Sequence, residues 1–70
     1  MKLVYTVRLY EGRLGKVCEV DLRYREEVAR FLKIIKWNDS MEIFIDYEGD
    51  LKYYIKYEEE LELAITIFEN

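Results

Sequence analysis

The chain alternates apolar and polar residues over most of its length and changes period over one stretch. Across residues 2–10, Leu3, Tyr5, Val7 and Leu9 alternate with Lys2, Thr6 and Arg8, the pattern of a strand with one buried face. The segment EGRLG follows, in which Gly12 and Gly15 supply the positive φ values that a tight hairpin needs. A return strand over 16–22 places Cys18, Val20 and Leu22 together against Glu19 and Asp21. From about Tyr24 the period becomes helical: Tyr24, Val28, Phe31, Leu32 and Ile35 form one stripe, with Arg25, Glu26, Arg30 and Lys33 turned away. Glu26 and Glu27 near the start and Lys33 and Lys36 near the end match the helix dipole. Asn38 is placed to close the helix in the left-handed conformation.

Alternation then resumes. Met41, Ile43, Ile45 and Tyr47 alternate with Glu42, Phe44 and Asp46, YEGDL makes a second hairpin, and Leu51, Tyr53, Ile55 and Tyr57 continue the pattern. The glutamates at 58–60 read as a bend before a fifth run, Leu61, Leu63, Ile65 and Ile67. No internal repeat or linker is evident, so residues 1–70 are expected to form a single domain. The predicted order is ββαβββ, an α+β two-layer sandwich with a single helix packed on one face of a five-stranded, mainly antiparallel sheet. Its first four elements resemble a β-grasp arrangement in topology, a likeness that implies no function.

One helix covers one face of such a sheet. Val4, Tyr10, Phe44, Tyr54, Ala64 and Phe68 fall out of phase with the core positions and are expected on the other. Clustered there, they make a larger apolar patch than a lone monomer usually exposes, and contact with a partner or a second copy accounts for it. Tyr10, Phe44, Tyr54 and Phe68 are therefore candidate partner-binding residues, and scattered aromatics among charged neighbours are the alternative.

Composition narrows the classes. Hydrophobic residues make up 51% of the chain, enough to drive folding in a domain this small. Pro, His and Gln are absent while Lys, Arg, Asp and Glu abound, a bias of hyperthermophile proteins and also of idealised designs. A single cysteine, Cys18, excludes an internal disulfide and fits a reducing cytoplasm. No stretch approaches the roughly 20 apolar residues of a membrane span, so a soluble cytoplasmic protein is expected. The net charge of −4 hides an asymmetry: residues 1–36 carry nine Lys or Arg against five Asp or Glu, and residues 37–70 two against ten.

Chemistry is sparsely provided. Without histidine, and with one serine and two threonines, no nucleophile with an adjacent base can be assembled, so neither an enzyme nor a bound cofactor or metal is expected. Cys18 reads as a packed, inert thiol. Asp46, Glu48 and Asp50 surround the second hairpin without the spacing of a calcium loop. The arginines at 8, 13, 23, 25 and 30 all lie in the first half, yet the acidic total opposes phosphate binding and makes nucleic acid a disfavoured partner.

The stretch NDSMEIFI, residues 38–45, resembles the peptide motif by which proteins plug into DNA sliding clamps: Gln, two residues, an aliphatic, two residues, then two aromatics. Asn38 stands for Gln, Met41 and Phe44 match, and Ile45 replaces the second aromatic. The resemblance implies clamp binding through Asn38, Met41, Phe44 and Ile45. It requires a 3₁₀ turn that gathers the apolar groups on one side, whereas a strand sends Met41 and Ile45 to one face and Phe44 to the other. The sequence thus favours a non-enzymatic interaction module or small regulator, binding a partner protein or itself through the helix-free sheet face or a sheet edge. A regulator of DNA metabolism, binding nucleic acid or a clamp, is the second reading, and a designed or structural scaffold without a partner is the third.

Overall fold

The computed structural model describes residues 3–70; Lys2, placed in the first strand by its pattern, lies outside them. Strand β1 spans Tyr5–Glu11, β2 Gly15–Leu22, helix α1 Arg25–Lys33, β3 Met41–Tyr47, β4 Asp50–Ile55 and helix α2 Glu58–Glu69. The four strands form one antiparallel sheet in the order β2-β1-β3-β4. The class is α+β as expected, with one strand fewer and one helix more.

The fifth alternating run is α2, and the reason is legible in its side chains. Leu61, Ala64, Ile65 and Phe68 recur at i, i+3, i+4 and i+7, a helical stripe that the period-2 reading of the same residues hides. Leu61, Ala64 and Phe68 are buried, while Leu63 is 61% exposed. Glu60 settles the choice at the N-terminus: its carboxylate accepts from the backbone N–H groups of Lys56 and Tyr57 at 2.8 and 3.0 Å, the returning half of a capping box. Glu27 does the same for Arg23 and Tyr24 at the head of α1, at 3.2 and 3.1 Å.

Both helices lie on one face. The core gathers Val7, Leu9, Met41, Ile43, Ile45 and Ile55 from the sheet, Val28, Ala29 and Leu32 from α1, and Leu61, Ala64 and Phe68 from α2. Cys18 is half-buried and packs against it. Tyr24 precedes α1 and is exposed rather than part of the buried stripe. The helix stops at Lys33, well before Asn38, and Asn38 has no left-handed φ. Its side-chain oxygen instead accepts from the Ser40 N–H at 2.9 Å, an Asx turn that leads into β3.

The architecture is a ββα unit built twice. In each unit a one-residue bulge follows the same core position: after Leu9 the pairing passes from Cys18 to Lys16, and after Ile45 it passes from Tyr53 to Leu51. The skipped residues are Val17 and Lys52. The second bulge moves Leu51 opposite Asp46 and leaves it exposed, although its alternation placed it in the core. The units meet where β1 pairs with β3, and Arg8 opposite Phe44 is the middle of that register. A pseudo-twofold axis passes through this pair, with α1 and α2 exchanged across it. The expected β-grasp likeness of the first four elements is not sustained, because β1 pairs antiparallel with β3 and the described sheet has no parallel pair.

Candidate interaction surface on the helix-free sheet face

The pleat sends Thr6, Arg8 and Tyr10 of β1 and Glu42, Phe44 and Asp46 of β3 away from the helices, with Glu19 and Asp21 of β2 and Tyr54 of β4 beside them. Phe44 is central. Its ring lies 5.3 Å from that of Tyr10, edge to face, and 4.9 Å from that of Tyr54, separations at which aromatic pairs attract. The Arg8 guanidinium sits 5.0 Å above the Phe44 ring within cation–π reach. Tyr54 stays 42% exposed, and Tyr10 and Phe44 are half-buried.

The charged groups around this cluster are held by ion pairs and by hydroxyl groups. Arg8 Nη2 donates to both carboxylate oxygens of Asp46 at 3.2 Å, Lys16 pairs with Glu19 at 2.7 Å, Thr6 donates to Asp21 at 2.7 Å, and the Tyr54 hydroxyl donates to Glu42. Burial works against the Arg8 charge, but the hydrogen bond and charge of Asp46 outweigh it and hold the guanidinium more firmly protonated than usual. The hydrogen bond to Glu42, then burial, raises the Tyr54 pKa. Arg8 Nε is shielded from solvent and donates to no described acceptor, an arrangement that is uncommon in folded proteins. The Arg8–Asp46 and Lys16–Glu19 pairs balance their own charges, while Glu42 keeps its negative charge under the Tyr54 hydroxyl at the edge of the aromatic cluster.

The structure separates the seven candidate residues. Tyr10, Phe44 and Tyr54 come together on the free face. Phe68 does not join them: it is 1% exposed, and it packs edge-on against Tyr5 and Tyr53 at 5.3 and 5.4 Å in the core. A helical stripe replaces the predicted alternation there and carries Phe68 and Ala64 inward. Met41 and Ile45 are buried on the core face of β3, opposite to Phe44. The clamp-like residues therefore present no common side, and β3 is held between β1 and β4. Asn38 Nδ2 is bonded to Glu11 at 2.9 Å.

Alternation within β1 is the signal that places Arg8 beside Tyr10 on this face; its membership of a basic half does not reveal it. The remaining arginines do not converge with it. Arg13 lies in the β1–β2 turn, Arg23 and Arg25 lie at the far end of β2, and Arg25 is engaged with α2. Asp46 is committed to Arg8, and among the described residues no group of three His, Cys, Asp or Glu side chains is placed to hold a metal ion. No described helix is long and apolar enough to cross a membrane. No family model matches the chain, and neither a curated protein nor a solved structure is found to match it.

Proposed function

We propose that this domain is a non-enzymatic interaction module that binds another protein through the helix-free face of its sheet. The observation that carries this reading is the contiguous, partly exposed cluster Tyr10–Phe44–Tyr54 with Arg8 stacked on its central ring. Aromatic side chains and arginine dominate binding hot spots because they bury large area at small entropic cost. Pairing of Arg8 with Asp46 and of Lys16 with Glu19 leaves fewer lone charges for a docking partner to desolvate, and Glu42 adds an acidic group at the rim. The sheet edges are poorer candidates: each edge strand carries a bulge, and Lys16 and Lys52 flank or occupy the bulges, features that discourage strand addition.

Affinity capture with the wild-type chain and with Phe44→Asp tests the reading, with a thermal melt of each. The expected result is a saturable protein ligand that Phe44→Asp and Tyr54→Ala release while both variants stay folded. A ligand that binds wild type and both folded variants equally well would refute the sheet face as the docking surface.

A further inference from the structure

The charged groups around the aromatic cluster are not equally satisfied. Four carboxylates, Glu19, Asp21, Glu42 and Asp46, and two cations, Arg8 and Lys16, hold paired strand positions on the helix-free face. Asp46 has Arg8, and Glu19 has Lys16. Glu42 has no cation within ion-pair distance among the described residues, and Lys56, just past the Ile43–Ile55 pair, does not reach it. Its Oε2 accepts from the Tyr54 hydroxyl, and its Oε1 accepts from no described donor. The carboxylate is nonetheless half-buried, and its place in the sheet explains why. Strand β3 runs between β1 and β4, which puts Tyr10, the direct cross-strand neighbour of Glu42, on one side and Tyr54 on the other. The same face shows what completes such a site. Four residues along β3, Asp46 accepts from the Arg8 guanidinium at 3.2 Å while that group lies 5.0 Å from the centroid of the Phe44 ring. Carboxylate, ring and cation are all supplied there by the chain; at Glu42 the chain supplies the carboxylate and the rings.

We propose that the partner docked on this face is a basic protein segment, which sets a lysine or arginine on Glu42 between Tyr10 and Tyr54 and an apolar side chain on Phe44. The inference rests on the sheet-face reading and adds the chemistry of what docks there. The six paired positions sum to −2, four carboxylates less two cations, and the whole chain to −4. Such a field steers positive segments toward the face and turns acidic ones, nucleic acid included, away. A cation brought against Glu42 gains its charge and a charge-assisted hydrogen bond to Oε1, and the electron-rich faces of the neighbouring tyrosine rings add to the attraction. Spacing restricts the segment further. Glu42 and Phe44 stand two residues apart on one strand, roughly 6.4–6.8 Å, which is also the same-side repeat of any extended chain. A segment lying along β3 therefore meets both with a basic residue two positions from a large apolar one. Leu51, opposite Asp46 and 55% exposed, extends the apolar surface toward the other end of the strand.

A random peptide library displayed on phage, panned in parallel on wild type, Glu42→Gln, Glu42→Lys and Phe44→Ala, tests it. Glutamine keeps an acceptor for the Tyr54 hydroxyl while removing the charge, and Phe44→Ala removes the central ring without altering charge. Circular dichroism melts confirm that each variant is folded. Peptides enriched by wild type should carry Lys or Arg two positions from a large apolar residue, and Phe44→Ala should not retain them. Synthetic copies of these peptides should bind Glu42→Gln about tenfold more weakly than wild type and with a smaller dependence on salt. Glu42→Lys should enrich acidic peptides instead. Phe44-dependent peptides that lack basic residues, that bind Glu42→Gln as well as wild type, or that Glu42→Lys also selects, overturn the basic partner while leaving the sheet face as the docking surface. A selection that yields no Phe44-dependent peptide overturns both readings.

Discussion

Truncating Phe68 to Ala distinguishes the helical α2 from the strand that its alternation suggests. The Phe68 side chain is 1% exposed, makes edge contacts with Tyr5 and Tyr53, and has the Arg25 guanidinium 4.9 Å from its ring centroid. Loss of a fully buried Phe costs about 3–5 kcal/mol through transfer and cavity terms together. Each aromatic pair is worth about 0.5–1.5 kcal/mol beyond its area, and the exposed cation–π contact about 0.5–1 kcal/mol. These contributions overlap, so about 4–5 kcal/mol is expected for Phe68→Ala. A domain of this length holds roughly 4–10 kcal/mol in total, and the melting midpoint should fall by about 16–40 °C at 4–8 °C per kcal/mol. Leu63→Ala, five residues earlier on the exposed side of the same helix, should cost about 0.5 kcal/mol or less in the monomer. Urea denaturation of both variants, at concentrations where the chain is monomeric, compares them directly. If residues 61–67 formed a strand with Leu61, Leu63, Ile65 and Ile67 in the core, the order would invert. A Leu63→Ala variant as costly as Phe68→Ala would rule out the helical placement.

Arg25 closes the far end of α2 by donating to the Ile67 carbonyl at 2.5 Å and by lying over Phe68, in a helix with no basic residue in its last turn. Arg25→Ala should therefore destabilise by about 1–2 kcal/mol and speed hydrogen exchange in that turn. Glu60→Ala removes the carboxylate that holds two backbone donors and should cost about 1 kcal/mol by denaturant titration, and Glu27→Ala a similar amount. Because the Tyr54 pKa is raised in the fold, its hydrogen bond contributes fully below the ordinary tyrosine pKa of about 10 and is lost as pH rises through the folded value. Ultraviolet titration should show Tyr54 ionising late, and Glu42→Gln should bring it back toward the ordinary value; an unchanged titration would remove Glu42 as the cause.

The four strands and α1 are legible in the sequence because one buried face imposes strict alternation or a 3.6 period. Tyr10, Phe44 and Tyr54 follow from the same phase. Residues 61–67 mislead because β-branched Ile65, Thr66 and Ile67 support a strand, while Leu61, Ala64 and Phe68 satisfy a helix equally well. The Glu three places after Tyr57 carries the deciding signal, one that Glu27 after Tyr24 repeats. The duplication is hidden for a related reason. From the first unit to the second, connections shorten so that Leu9 corresponds to Ile45, Val20 to Ile55 and Tyr24 to Tyr57, and no constant period survives for a sequence to display. Bulges are equally silent in the pattern, which is why alternation sends Leu51 to the wrong face.

The β1–β3 seam also bears on how the chain reaches its native state. Within each hairpin the paired residues are near neighbours in sequence, whereas every pair across the seam is separated by a hairpin strand, a helix and a connection. Ordering that intervening segment is an entropic cost met before any seam contact forms, so joining the two units should limit the folding rate. The shortest loop closes at the Glu11–Met41 end, and there the backbone N–H of Gly12 donates to the Ser40 carbonyl at 2.8 Å while Asn38 reaches Glu11. Asn38 thus acts as a clasp at the point where zippering begins, and Asn38→Ala should slow folding more than it accelerates unfolding.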